Sequence, residues 1–162
     1  MTLKPTGRAT AWLFASLQLL APAIAASPAA MQRVSGVFDV TMSPAAPPEH
    51  AGRTQTARML LDQQYFGDLA AKGNGEMLSA VTDTKGSAAY VAIERVSGTL
   101  HGKAGTFVIQ HSGVMSGGAQ QLAISIVPDS GTGQLEGISG TMAIRMVERK
   151  HFYDLDYRLP KK

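Results

Sequence analysis

The sequence contains no cysteine among its 162 residues. This absence excludes disulfides, thiol nucleophiles, cysteine-ligated zinc and covalently attached haem. A chain without cross-links has to be held by its core alone. A domain of about 135 residues can be held in this way, because a chain of that size buries about two-thirds of its extended surface. Tryptophan is almost absent as well, and the one example, Trp12, lies in the N-terminal segment.

Long hydrophobic runs are also missing, apart from residues 11–21 near the N-terminus. That run falls short of the roughly 20 apolar residues needed to span a bilayer. It follows Lys4 and Arg8 and precedes a small-x-small pattern at residues 23–25, which together predict a secretory signal peptide over residues 1–25. The alternative is an uncut N-terminal anchor. We therefore predict an exported protein, periplasmic or secreted, with no membrane span in the mature chain.

A strong charge of one sign is the third absence. The formal net charge of the whole chain is +3, and it falls to +1 when Lys4 and Arg8 are removed with the signal peptide. Nucleic-acid binding needs a clustered basic face, usually with aromatic side chains for stacking. The sequence shows neither feature, so we predict no nucleic-acid partner and interpret Lys161 and Lys162 as a solvated tail.

The rest of the chain has no helical periodicity and instead alternates apolar and polar residues between glycine-bearing turns. After a linker at residues 26–32, it predicts a single domain over residues 33–162. The predicted strands are residues 33–43, 57–66, 69–81, 87–97, 104–115, 121–127, 139–148 and 151–159. Strands at even spacing are typical of an antiparallel sandwich or a closed barrel. We predict an all-β, antiparallel, eight-stranded closed β-barrel, because closure hides the sheet edges and leaves room for side chains or one small ligand.

Two segments interrupt this pattern. Residues 44–56 hold three prolines and a glycine, which predict a long irregular loop that does not join a ladder. Residues 73–75, Gly-Asn-Gly, lie inside the third predicted strand, and they predict a bulge or a kink there.

The hairpin made by the fourth and fifth predicted strands holds the candidate site. A three-residue turn at residues 101–103 places Glu94 directly opposite Gln110. A two-residue turn instead sets Glu94 beside Ile109. We favour the three-residue turn because it matches polar groups with polar groups, and it predicts a cluster of Tyr90, Glu94 and Gln110 on one face.

Glu94 and Tyr90 are the candidate catalytic residues. If their face lines the barrel, desolvation raises the pKa of the Glu94 carboxyl. Such a carboxyl can act as a general acid or base, with Tyr90 as the donor to a bound oxygen. The alternative is that Glu94 faces solvent and pairs with Arg95 or with a basic residue of a neighbouring strand, because unpaired buried carboxylates are rare.

Gln110, His111 and Glu76 are the candidate ligand-binding residues. Gln110 belongs to the polar cluster, and Glu76 follows the glycine kink, where a bend of the barrel could aim it inward. His111 lies on the opposite face, among larger apolar side chains. Exposure to solvent is the alternative for Glu76, and a satisfied core or surface position is the alternative for His111. No two histidines have metal-ligand spacing, so we predict no metal site, and we predict no cofactor.

The glycine-rich segment SGTGQLEGISG at residues 130–140, with residues 86–113, resembles a bacterial family of unknown function. That family is grouped with allene-oxide-cyclase-like and dirigent-like barrels, and the resemblance extends over residues 35–159. It implies an eight-stranded antiparallel barrel with a cavity. The plant cyclases isomerise a reactive epoxide in such a cavity, but their catalytic residues do not carry over by motif. The reactive cysteine of their cavity has no equivalent in a chain without cysteine.

Three functions remain open at this stage. The leading hypothesis is a binding module, an exported barrel that holds a small apolar or amphipathic molecule. The second is an isomerase or cyclase that uses Glu94 and Tyr90. The third is a structural or interaction protein whose barrel is filled by its own side chains, and assembly into a homo-oligomer is compatible with each of them.

Overall fold

The structure, a computed structural model, describes residues 29–160. The predicted signal peptide, the first residues of the linker and the C-terminal lysines lie outside the described residues. Within the described chain, one sheet of nine antiparallel strands accounts for almost all regular structure. No helix in this range is long and apolar enough to cross a membrane.

The strands follow one another with short connections. Their bounds are β1 Gln32–Pro44, β2 Glu49–Ala51, β3 Thr54–Gly67, β4 Leu69–Thr82, β5 Ala88–Leu100, β6 Lys103–Ser116, β7 Ala119–Ile126, β8 Ser139–Val147 and β9 Lys150–Arg158. A single-turn 3-10 helix, Gly133–Leu135, lies between β7 and β8. All eight predicted strands are present, most of them longer by one to three residues.

The sheet closes on itself. Each strand from β3 to β8 pairs with the next one along the chain, and β1 pairs with both β9 and β3. The predicted closed, eight-stranded antiparallel barrel is therefore confirmed, with β2 as a short addition at one end of β3. Closure leaves no barrel strand with a free edge along its whole length, which protects the sheet from edge-to-edge association.

The prediction that residues 44–56 stay out of any ladder was wrong in part. Glu49–Ala51 forms β2 and pairs with the first residues of β3 around a turn at Gly52, whose φ is +58°. The prolines of this segment all precede Glu49, so the three residues of β2 keep the N–H groups that a ladder needs. A positive φ at Gly52 costs little, because glycine has no Cβ.

The predicted register of the β5–β6 hairpin was wrong. Leu100 pairs with Lys103 around a two-residue turn, and Glu94 therefore lies opposite Ile109. Both turn residues, His101 and Gly102, have positive φ, at 46° and 73°. This is the backbone of the tight turn that matches the twist of a hairpin, and histidine accepts positive φ more readily than most residues. Matching polar neighbours failed as a criterion because Glu94 finds its partners on β3, across the barrel interior, and Gln110 faces outward.

One end of the barrel is filled and sealed. Tyr153 lies inside, donates a hydrogen bond from its hydroxyl to Phe66 O at 3.0 Å, and accepts one from the N–H of Leu69 at 3.3 Å. Its ring packs edge-on against Tyr65, whose ring packs in turn against Phe38, with centroids 5.6 and 5.4 Å apart. These contacts hold the β3–β4 turn to the core from within. We call this the closed end.

The segment between β7 and β8 completes the closed end. β7 is shorter than β6, so part of β6 has no strand beside it. Thr132 covers that part, and its backbone N–H donates a hydrogen bond to Thr106 O at 2.8 Å. The hydroxyl of Thr132 also accepts from the N–H of Thr106, at 3.0 Å. Leu135 and Ile138 then turn inward and are fully buried. The glycine-rich motif therefore serves the fold, as a plug and an edge cover.

The opposite end is open. Side chains that alternation directs into the barrel become exposed there, although they are apolar and large. Their exposed fractions run from 36% to 66%, for Met42, Val81, Met115, Leu122 and Met146. We call this the open end, and its interior is not packed by the described chain.

Candidate functional site

A buried carboxylate lies midway along the barrel. It separates the half next to the closed end, which we call the closed half, from the half next to the open end, which we call the open half. Glu94, on β5, points into the barrel and has no exposed surface. Its Oε1 accepts a hydrogen bond from the hydroxyl of Tyr65 at 2.9 Å, and its Oε2 accepts one from the amide of Gln63 at 2.7 Å. Both donors come from β3, which is two strands away from β5 in the sheet. A buried carboxylate needs such partners, because an unpaired one is costly in an apolar interior.

The hydroxyl of Tyr65 is held firmly as a donor. Burial, and then the nearby charge of Glu94, raise the pKa of Tyr65 far above its ordinary value. The same hydroxyl is 3.2 Å from Gln63 Oε1. Tyr65, Gln63 and Glu94 therefore form one closed network, with the tyrosine proton shared between two acceptors.

His111 is the third side chain beside the carboxylate. It projects inward from β6, its exposed fraction is 6%, and its Nε2 lies 3.2 Å from Glu94 Oε2. The distance is that of an ion pair, but the angles are not those of a hydrogen bond, and Nε2 is left without a hydrogen-bond partner. The contact is weak as a hydrogen bond, because a hydrogen bond weakens steeply when it is misaligned. A buried ring nitrogen without a hydrogen-bond partner is therefore left beside the carboxylate.

Glycines in β4 make room for this network. A Cβ on Gly73 would overlap Glu94 Oε1, and a Cβ on Gly75 would overlap the backbone of β5. The prediction for residues 73–75 was a bulge or a kink, and the bulge is absent, because β4 pairs without interruption with β3 on one side and with β5 on the other. Gly73 leaves room for the carboxylate and Gly75 for the close backbone of β5, which is a second reason for glycine in a strand.

The structure brings together two of the five predicted site residues, Glu94 and His111. The prediction that these two lie on opposite faces was wrong, because it followed from the three-residue turn. Tyr90 also points inward, nearer the open end, with its ring over the backbone of Gly113, and burial raises its pKa. Gln110 is on the outer face of β6, opposite Ile93. Glu76 is on the outer face of β4 and forms an ion pair with Arg58 at 2.7 Å.

Sequence reasoning did not include Gln63 and Tyr65 in the site. The alternation of the second predicted strand did place both on one face with Met59 and Leu61, and that face is the interior. A glutamine on an otherwise apolar inward face was the available indication, because a buried amide needs a buried partner. What the sequence could not show was which strand would bring that partner.

Between the network and the open end, the interior is lined largely by methionine. Met59 lies directly opposite Met77, and the same row continues through Ala92 to His111. We call the following inward-facing residues of the open half the methionine mouth: Met42, Met59, Met77, Met115 and Met146. Methionine is unbranched and polarisable, so a surface of this kind adapts to apolar molecules of different shapes.

The described residues contain no group of three or more histidine, aspartate or glutamate side chains placed to hold a metal ion. Glu94 and His111 are two such side chains, but Glu94 is already engaged by Gln63 and Tyr65. The arrangement is suited to hydrogen bonding and to the movement of a proton between a carboxylate, an imidazole and a bound molecule.

Comparisons with known proteins agree with this fold. A family model described as protein of unknown function (DUF3224) matches residues 34–157. The crystal structure of a protein of unknown function from the same family, from Shewanella oneidensis MR-1, is 45% identical to this chain. The alignment covers 82% of this chain and 100% of the other, with a TM-score of 0.74. No curated protein matches the chain.

Proposed function

The chain belongs to the DUF3224 family of proteins of unknown function, and for its own function we propose that the open half of the barrel binds a small apolar or amphipathic molecule. One observation carries the proposal. The large apolar side chains that face inward at the open end are one-third to two-thirds exposed, whereas those of the closed half are fully buried. An inward apolar surface that the chain itself does not cover is the usual lining of a ligand site.

Glu94 and His111 lie at the inner limit of the open half, and these polar groups favour an amphipathic ligand over a purely apolar one. The unpartnered Nε2 of His111 can form a hydrogen bond with one polar group of the ligand, while the methionine mouth contacts its apolar body. Export, predicted from residues 1–25, and the likeness to allene-oxide-cyclase-like barrels stay predictions that are compatible with this function.

The test uses N-phenyl-1-naphthylamine, a neutral fluorescent probe with two aromatic groups and one N–H. We expect saturable binding of one probe per barrel. Ser79→Trp places a large ring in the open half, and it should weaken binding by about tenfold or more, a loss of about 1.4 kcal/mol. Ala143→Trp adds the same ring on the exposed outer face of β8, and it should leave binding unchanged. Equal affinities for both variants would refute binding inside the barrel.

A second function, isomerisation by proton transfer, is favoured by the position of Glu94 beside His111. A carboxylate held by two donors next to an imidazole can take a proton from a bound molecule and return it at another carbon. The co-purifying ligand, identified by native mass spectrometry of protein from its own host, is incubated with the protein in D₂O. An isomerase adds deuterium to the ligand, and Glu94→Gln abolishes the addition. A ligand recovered without deuterium would leave binding alone as the function.

A further inference from the structure

The interior of the barrel holds a single buried acid. Within residues 29–160, Glu94 is the one aspartate or glutamate that is buried, and it has no exposed surface. Both of its oxygens accept hydrogen bonds, Oε1 from Tyr65 and Oε2 from Gln63. A carboxyl group that only accepts is ionised, because its protonated form would donate from one oxygen. The inner limit of the open half therefore carries one negative charge.

No lysine or arginine balances this charge from inside the barrel. Every lysine and arginine within residues 29–160 is exposed to solvent. The second inward imidazole, His151, lies on β9, four strands away from β5 in the closed sheet. It packs against the ring of Phe38, with centroids 5.0 Å apart. An anionic group that entered the barrel would meet a like charge there, and such repulsion is strong where water is excluded.

His111 supplies a second acceptor beside the carboxylate. Its Nε2 lies 3.2 Å from Glu94 Oε2, and the angles leave Nε2 without a hydrogen bond. A neutral imidazole with its proton on Nδ1 offers Nε2 as an acceptor. Two acceptors at this separation are close enough for one ammonium nitrogen to lie about 2.9 Å from both. An ionised carboxylate has only acceptors of its own, so it can satisfy neither atom.

Tyr90 stands between this pair and the open end. Its ring lies against Gly113, the next inward residue of β6 beyond His111. The other inward neighbour on this side, Ala92 of β5, is small and leaves the ring free to swing. A group that enters from the open half therefore passes an aromatic ring before it reaches Glu94. The face of a tyrosine ring attracts cations, so Tyr90 favours the same sign of charge as the carboxylate.

We infer that the ligand of the open half carries a protonated amine as its polar group, and that the barrel discriminates against fatty acids and other anionic amphiphiles. This inference rests on the proposed function, because it names the polar group of the molecule that the open half binds. In the complex, the ammonium group lies beside Glu94 and His111, and the apolar tail lies in the methionine mouth. Two unit charges about 6 Å apart at an effective dielectric constant of about 20 change an affinity by about a hundredfold, upward for an ammonium and downward for a carboxylate.

Three molecules with the same ten-carbon tail test the inference: decylamine, decanol and decanoate. Each is titrated near neutral pH, below its micelle concentration, against wild-type protein loaded with N-phenyl-1-naphthylamine. Desolvation of the ammonium offsets part of the attraction, so we expect decylamine to bind at least about tenfold tighter than decanoate, with decanol between them.

The outcomes separate this inference from the proposed function. Decanoate that binds as tightly as decylamine would overturn the inference and leave binding inside the barrel standing. The same holds if the probe binds and none of the three molecules displaces it. If the probe itself shows no saturable binding, the proposed function is refuted and the inference falls with it.

A pair of variants locates the preference at Glu94. Glu94→Gln removes the charge at nearly constant size, and it should reduce the advantage of decylamine over decanoate by about tenfold or more. Asp62→Asn is the matched control, because Asp62 is on β3 next to Gln63 but is exposed on the outer face. It makes the same change in net charge and should leave the three affinities in the same ratio.

An equal effect of the two variants would mean that the net charge of the protein sets the preference, and this would overturn the inference. The comparison of decylamine with decanoate on wild-type protein does not depend on whether Glu94→Gln folds, so it remains decisive if that variant is unstable.

Discussion

The closed half and the open half of this barrel are built from the same strands, yet they use their inward-facing side chains in opposite ways. In the closed half, tyrosine, phenylalanine and leucine fill the space, and every large inward side chain is buried. In the open half, the inward positions hold methionine, valine, leucine and small side chains, and much of that surface is exposed. Glu94 and its partners mark the boundary. The difference indicates that the closed half supplies most of the burial that stabilises the fold.

Replacing matched leucines should give the largest effect. Leu155 is fully buried in the closed half, and Leu155→Ala should lower the free energy of unfolding by about 2–5 kcal/mol through lost burial and a cavity. Leu122 faces inward at the open end and is partly exposed, so Leu122→Ala should cost less than about 1 kcal/mol. Urea denaturation measures both values. Equal losses would mean that the open half is packed, which would remove the basis of the ligand proposal.

Removal of a tyrosine hydroxyl should give the second-largest difference in stability between the two halves. Tyr65→Phe removes the donor to Glu94 Oε1, and it should cost about 1.5–3 kcal/mol because a hydrogen bond to a buried charge is lost. Tyr90→Phe should change stability by less than about 0.5 kcal/mol, since the hydroxyl of Tyr90 has no hydrogen bond within residues 29–160. Denaturation of the two variants under one condition compares them. A costly Tyr90→Phe would place Tyr90 in the network with Glu94.

The sequence predicted the features that depend on residues close together in the chain, and it missed those that depend on contacts between distant strands. The strands, the closed barrel and the inward faces of β1 and β3 follow from alternation and glycine turns, which are local features. The network around Glu94 joins β3, β5 and β6, and its geometry depends on the tilt of the strands and on closure between β1 and β3. Neither the tilt nor the closure can be seen in the sequence of a single strand. The sequence therefore identified Glu94 and His111 as single candidates, and it did not show that Gln63 and Tyr65 lie beside them.

The error in the hairpin register has a similar cause. Pairing polar groups within the hairpin predicts Glu94 opposite Gln110. In the structure Gln110 faces outward, and Glu94 has its partners on β3. The turn residues His101 and Gly102 held the better evidence, because two residues that accept positive φ favour a two-residue turn.

Two glycines test the same comparison at a smaller scale. Gly73→Ala would push a Cβ into the carboxylate of Glu94, and overpacking there should cost about 1–3 kcal/mol, partly offset by the lower backbone entropy of the unfolded state. Gly113→Ala would meet the ring of Tyr90, which borders the open half and can swing away, so we expect a cost under about 1 kcal/mol. Denaturation midpoints give the difference. A larger cost for Gly113→Ala would show that Tyr90 is fixed in place and that the open half is more rigid than its exposure indicates.

Acid should loosen the pairing of β1 with β9, which lies in the closed half, before the pairing of β4 with β5, and this is the smallest expected effect. The side chain of Ser35 and then Arg145 lower the pKa of Asp154, and Arg33 lowers the pKa of Asp156, so that both carboxylates tie β1 to its neighbour β9. A carboxylate whose pKa is lowered by folding stabilises the protein above the unfolded value of about 4, and this contribution is lost as the pH falls through the lower folded value. Both groups are exposed, so screening by solvent keeps the effect small.

Hydrogen exchange of backbone amides, followed from pH 5 downward and corrected for the intrinsic rate, locates this loosening. The amides between β1 and β9 should lose protection first, and those of β4 and β5 later. Asp156→Asn should remove part of the pH dependence at the β1–β9 seam, because the ion pair with Arg33 is then absent at every pH. Asp129→Asn, in the turn after β7, should leave that dependence unchanged. Loss of protection in β4 and β5 ahead of the seam would mean that the boundary at Glu94, and not the outer ion pairs, responds first to acid.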